Sequence, residues 1–250
     1  MNKILLTAIM LTTLSAGWVT AATAQGGQSK AVPVEFFACN WVEGKGLKDL
    51  DKVIADFQKY ADANDSKYSA WLLFPQFHQA GMFDVGWLGS WPSGVDFGLS
   101  QESWMTEGRD IAAAFAGVVD CGEHIMALSR PINAPEGTPE DGVLLVSQCS
   151  LNEGKSLQDA YAAHLKSGNV MKSKGSLGVS WFYFPALGTG DMDFDYWHLV
   201  GFYRYSDMGA TMEMYVNEGG IETAQEIIGT TSSCDAWTVF DARSVRVVGS

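Results

Sequence analysis

The chain has 250 residues, of which 29 are Asp or Glu and 16 are Lys or Arg, giving a formal charge of −13. A field of that sign repels phosphate backbones and anionic lipid headgroups, so nucleic acid and membrane surfaces are set aside as partners. The acids are dispersed rather than run together, which suits a solubilising surface.

Residues 1–24 read as a secretory signal peptide. Lys3 supplies the charged start, Ile4 to Met10 begin the apolar stretch, and Ala22-Thr23-Ala24 form the small-residue cleavage site. The mature chain would then begin near Gln25, in the periplasm or outside the cell. No other stretch approaches ~20 apolar residues, so no membrane segment is expected after cleavage. Four cysteines in an exported chain favour two disulfides over free thiols.

From Val32 the first repeat, 32–130, predicts strand, helix, strand, strand, helix, strand. Val34 to Trp41 is short, apolar and aromatic-rich, as a buried strand requires. Glu43-Gly44-Lys45-Gly46 turns the chain into a helix whose apolar stripe is Leu47, Leu50, Val53, Ile54, Phe57 and Ala61. Tyr68 to Phe74 and Phe83 to Trp91 are the next strands. Trp104, Gly108, Ile111, Phe115 and Val118 step at helical spacing, and Cys121 to Leu128 closes the unit as a strand. A Pro-rich linker, 131–141, follows, because three prolines between Pro131 and Pro139 suit neither a helix nor a central strand.

The pattern then restarts in a second repeat, 142–250. Cys39, Glu43-Gly44-Lys45, Leu47 and Trp71 recur as Cys149, Glu153-Gly154-Lys155, Leu157 and Trp181 at an offset of 110. Phe83-Asp84 recurs as Phe194-Asp195 at 111, and Cys121 as Cys234 at 113. Identities at so nearly constant an offset indicate duplication. The order β-α-β-β-α-β is that of the ferredoxin-like unit. Its first and last strands are antiparallel neighbours, which predicts the disulfides Cys39–Cys121 and Cys149–Cys234. Each would contribute roughly 4–5 kcal/mol by chain-entropy reasoning. A four-Cys metal site lacks any C-x-x-C spacing, and no metal is expected.

Two such units, each with a Gly-Lys turn after its first strand, resemble the dimeric α+β barrel superfamily. That resemblance covers nearly the whole mature chain. It implies two four-stranded sheets enclosing a central cavity in a pseudo-dimeric α+β barrel, with the chain a monomer or homodimer. Members include antibiotic-biosynthesis-type monooxygenases, NIPSNAP-like proteins and the haem-binding chlorite dismutase relatives.

Where the repeats differ, candidate chemistry appears. Trp87 corresponds to His198, and His124 to Trp237, so each repeat replaces one histidine by tryptophan in opposite strands. If both positions face the cavity, His198 and His124 are candidate general bases set between aromatic walls. Trp71, Trp87, Trp181 and Trp237, with Asn40 and Gln148, are the candidate ligand-binding residues. His78 is expected in a solvated loop, and His164, which aligns with Ile54, on a helix packed against the sheet. No nucleotide, nucleophile-elbow or metalloprotease motif is present. The leading expectation is therefore an exported protein holding a small apolar or aromatic molecule in the barrel, with no cofactor. The alternatives are a cofactor-independent oxygenase or isomerase, non-covalent haem binding, implied by the chlorite dismutase relatives, and a structural or assembly role.

Overall fold

The structure, a computed structural model, describes residues 30–135 and 140–248. The expected signal peptide lies outside these residues. The first half comprises β1 (Val32–Trp41), α1 (Leu47–Ala63), β2 (Ser69–Phe77), β3 (Val85–Ser90), α2 (Gly94–Glu107), α3 (Arg109–Ala116) and β4 (Val119–Asn133). The second comprises β5 (Gly142–Leu151), α4 (Leu157–Ser173), β6 (Val179–Leu187), β7 (Tyr196–Phe202), α5 (Tyr205–Asn217), α6 (Gly220–Ile227), β8 (Ser232–Cys234) and β9 (Thr238–Arg246). No described helix is long and apolar enough to cross a membrane.

Strand alternation decides the architecture. Along β1, Phe36 points to one face of the sheet while Phe37 and Cys39 point to the other. Each face needs cover, and the chain supplies it by closing the sheet on itself. The first four strands order as β4-β1-β3-β2 and the second set as β9-β5-β7-β6. The β2–β9 and β4–β6 pairings join the two sets into a closed, antiparallel eight-strand barrel. The short β8 continues the line of β9 along β5. Leu73, Leu144, Leu199 and Phe240 fill the barrel, with Phe36, Phe83, Trp181, Tyr183 and Trp197 packed on them. The helices cover the outside.

Two predicted elements come out differently. The single helix expected through Trp104 and Val118 begins earlier, at Gly94, and is two helices, α2 and α3, divided at Gly108. Ser93 caps α2 by accepting from Asp96 N, and the Trp104 ring lies over Gly108 where a side chain would be; a Cβ there would sit 2.4 Å from it. The proline-rich stretch also begins inside β4. Pro131 pairs with Trp181 and the register shifts between Pro131 and Asn133, so the missing N–H falls at an irregularity in the ladder.

The duplicated acids tie down duplicated turns. Asp84 Oδ2 accepts from Trp41 N at 2.9 Å, and Asp195 Oδ2 from Leu151 N at 2.7 Å, so each pins the end of its half's first strand. Cys39 bonds to Cys121 and Cys149 to Cys234, the predicted pairs. Both join directly opposed residues of neighbouring strands, which is why sequence order alone could pair them.

Candidate functional site

A large cavity lies outside the barrel, beneath the helices of the first half. Leu50, Val53, Ile54, Phe57 and Ala61 bring α1 down onto the sheet, but α2 and α3 contribute no buried residue. The helix layer therefore stands off the sheet on one side. It encloses about 970 Å³, walled by Phe57, Trp87, Trp104 and Phe115 and reaching Glu35, Tyr68 and His124. Phe57 is the hub of the wall, with ring centroids 5.4 Å from Trp87, 6.3 Å from Trp104 and 6.2 Å from Phe115.

A carboxylate sits at the base of this apolar space. Glu35, in the middle of β1, is 8% exposed and has a partner on each oxygen. Tyr68 Oη donates to Oε1 at 2.6 Å, and His124 Nε2 lies 2.9 Å from Oε2. Trp87 Nε1 donates to the Tyr68 oxygen at 2.6 Å, extending the chain to four side chains. Burial, and then the Glu35 charge, push the Tyr68 phenol well above its ordinary range, so it stays a proton donor. Tyr68 takes this place because its ring lies flat over Gly89, where a Cβ would be 1.9 Å from the hydroxyl. His124 stands opposite Phe37 across the β1–β4 ladder, and the two rings stack at 3.7 Å and 11°. One edge of that imidazole is therefore fixed by Glu35, while the side chain remains half-exposed at the cavity. Trp91, 2% exposed, lines the same space, and its Nε1 has no hydrogen-bond partner among the described residues.

The corresponding space in the second half is filled. Phe182 stacks on Tyr196 at 4.2 Å, and Tyr161, His164 and His198 close around them. Burial holds His164 down to about 4, and burial together with His164 puts His198 well below the ordinary imidazole range. Both rings are neutral at neutral pH.

The candidate residues are thus distributed over separate places. Trp87 and His124 line the first-half cavity, whereas His198 and Trp237 adjoin each other in the second half, ring centroids 5.1 Å apart. Trp71 and Trp181 lie at a smaller space of about 260 Å³ reaching the barrel interior. Asn40 and Gln148 are exposed. The condition that His198 and His124 both face one central cavity does not hold: His124 stacks on Phe37 on the helix side of β4, and His198 lies against His164 of α4 on the helix side of β7. His78 is exposed, and His164 lies on the buried face of α4, each where the sequence put it. Sequence reasoning missed Glu35, Tyr68, Phe57, Trp104 and Phe115 as one group. The available signal was Glu35 itself, an acid within the apolar run Val32 to Cys39.

The sequence matches no protein-family model and no curated protein. Solved structures do resemble it in shape. TA0507, a protein assigned as a chlorite dismutase, superposes with a TM-score of 0.53 at 10% identity, over 86% of this chain and 96% of that one. A doubly substituted chlorite dismutase from Candidatus Nitrospira defluvii gives 0.52 at 10% identity, over 86% and 92%. A singly substituted form of the latter in complex with cyanide gives 0.51 at 10%, over 86% and 91%. At such identity the likeness establishes the fold: this chain adopts the closed α+β barrel of the chlorite dismutase structures.

Proposed function

We propose that the chain is a tandem of two ferredoxin-like units, exported after signal cleavage, whose first unit binds a flat, largely apolar molecule beneath α1, α2 and α3. The observation that carries this reading is a cavity of about 970 Å³ walled by four aromatic rings and closed at its base by the Glu35–Tyr68–His124 network. That volume is at the upper end of the ~300–1,000 Å³ usual for ligand pockets, and the ratio of apolar wall to a few converging polar groups is the usual one.

Haem is the ligand to test first. The likeness to chlorite dismutase structures recommends it, and the site's chemistry fits: aromatic faces suit a macrocycle, and His124 has one ring nitrogen held by Glu35, leaving the other for iron. A carboxylate on the far edge of a ligating imidazole fixes its tautomer and raises its basicity. Bound there, haem would bring redox-active iron to the cavity. The chain's own part would be to hold the ring between Trp87, Trp104 and Phe115 and to present His124.

The experiment is titration of the purified mature protein with haemin, alongside a neutral fluorescent naphthylamine as a generic apolar probe. A saturable Soret shift at one haem per chain that is lost in His124→Ala supports haem. Naphthylamine binding lost in Trp104→Ala, without a Soret shift, supports the cavity but a different ligand. Failure of both probes to bind refutes the reading. A second reading, a cofactor-independent enzyme, is favoured by the Glu35–His124 pair, which has the orientation of a general base held by a carboxylate. Turnover would then vanish in His124→Ala and survive His198→Phe.

A further inference from the structure

The two disulfides are duplicates, but their surroundings are not. Around Cys39–Cys121 the first half has Ile54 and Trp87, whereas the corresponding second-half positions are His164 and His198. Donor atoms of Cys149, Cys234 and His164 all lie within 4.8 Å of one another. The His164 and His198 rings approach to 4.2 Å between centroids, and His164 is 1% exposed. The first disulfide has no such group among the described residues.

Hydrogen bonding also prepares His164. Tyr196 Oη donates to Ser232 Oγ at 2.6 Å, so its oxygen accepts from His164 Nε2, 3.0 Å away. The Nε2 proton is thereby fixed, and the Nδ1 lone pair is left for another partner. This is the arrangement that orients ligating histidines in metal sites, with a polar group on the edge away from the metal.

We propose that the Cys149–Cys234 disulfide caps a latent site for a soft or borderline divalent metal, zinc being the type, which opens when that disulfide is reduced. A thiol or phosphine reductant delivers two electrons and breaks the S–S bond, and two protons complete the thiols. Metal binding then expels those two protons, leaving two thiolates and His164 as ligands and the fourth position to water. Two thiolates, one imidazole and water complete a tetrahedral zinc set. While the disulfide is intact the sulfurs are spent on each other and the site is shut, so the oxidised protein should hold no metal here. Packing alone does not require the histidines: Ile and Trp occupy the matching positions in the first half.

The test is to reduce the full mature protein with a phosphine in the presence of Zn²⁺, because metal binding can itself supply folding energy. Zinc stoichiometry is read by native mass spectrometry, and Co²⁺ is substituted for its thiolate charge-transfer band. The expected result is one zinc per reduced, folded chain and none per oxidised chain. Cys39→Ser/Cys121→Ser should keep the zinc, and Cys149→Ser/Cys234→Ser should lose it. His164→Ile, which installs the first-half residue, should weaken binding beyond the roughly 10–100-fold that loss of an outer partner costs. Zinc retained equally in His164→Ile, zinc lost only with Cys39 and Cys121, or no zinc in the folded reduced protein would each overturn the proposal.

Discussion

Replacing His164 by Ile should remove a specific part of the protein's acid sensitivity. His164 is fully buried, and burial lowers it from 6.5 to about 4. The unfolded chain therefore takes up this proton near pH 6.5, while the folded chain resists until about pH 4. Wherever the unfolded state binds more protons, stability falls as pH falls. Above pH 6.5 the residue contributes no penalty. Between 6.5 and 4 the native state loses about 1.4 kcal/mol per pH unit, about 3 kcal/mol in all. His198 adds in the same direction. The substitution is gentle because Ile54 occupies the matching place in the first half, and Tyr196 keeps its bond to Ser232. Urea unfolding of both proteins at several pH values from 7.5 to 4.5 isolates the effect, since carboxylate contributions are common to both. The gap between the stability curves should change by about 2 kcal/mol or more across that window in favour of the variant at low pH. Parallel curves would show that the His164 proton is not excluded by folding, and the reasoning would fail.

Other consequences follow from the first-half cavity and the disulfides. Tyr68→Phe deletes the hydroxyl shared by Glu35 and Trp87 and leaves both with a buried unpaired group; it should lower stability by about 1–3 kcal/mol in chemical denaturation and weaken ligand binding at the cavity. Gly89→Ala drives a methyl into the Tyr68 ring, and should cost about 1–3 kcal/mol and quench less efficiently when the apolar probe is added, because the ring that anchors the network has moved. Cys39→Ser/Cys121→Ser opens a loop spanning 82 residues and should lower the unfolding free energy by about 4 kcal/mol in the oxidised protein. An unchanged urea midpoint in that pair would contradict the entropic account.

How far the site was legible can be seen from three residues. Trp87 was singled out because it replaces His198 in the repeat, and it does line the cavity. His124 was singled out for the same reason and lies across the same cavity. Nothing in the repeat marks Glu35, the residue joining them through Tyr68: its second-half counterpart is Leu145. Comparison of repeats finds positions where two copies diverge between chemically notable residues. It is blind to a network assembled from β1, β3, β4 and the residue just before β2, whose members are far apart in sequence.

The sequence by itself determined the two disulfide pairs and the strand positions of each half, because each depends on local periodicity or on strands adjacent by topology. It also placed Trp87, His124 and His198 on strands. Only the tertiary structure decided which strand face looked inward. A strand offers two faces of equal standing, and closure of β2 on β9 and β4 on β6 turned Phe36 to the barrel and Glu35, Phe37 and Cys39 to the helices. The same closure put the large cavity outside the barrel, where α2 and α3 stand off the first sheet, and filled its counterpart with Phe182 and Tyr196. Packing of long-range partners, not any pattern along the chain, made one half hollow and the other solid.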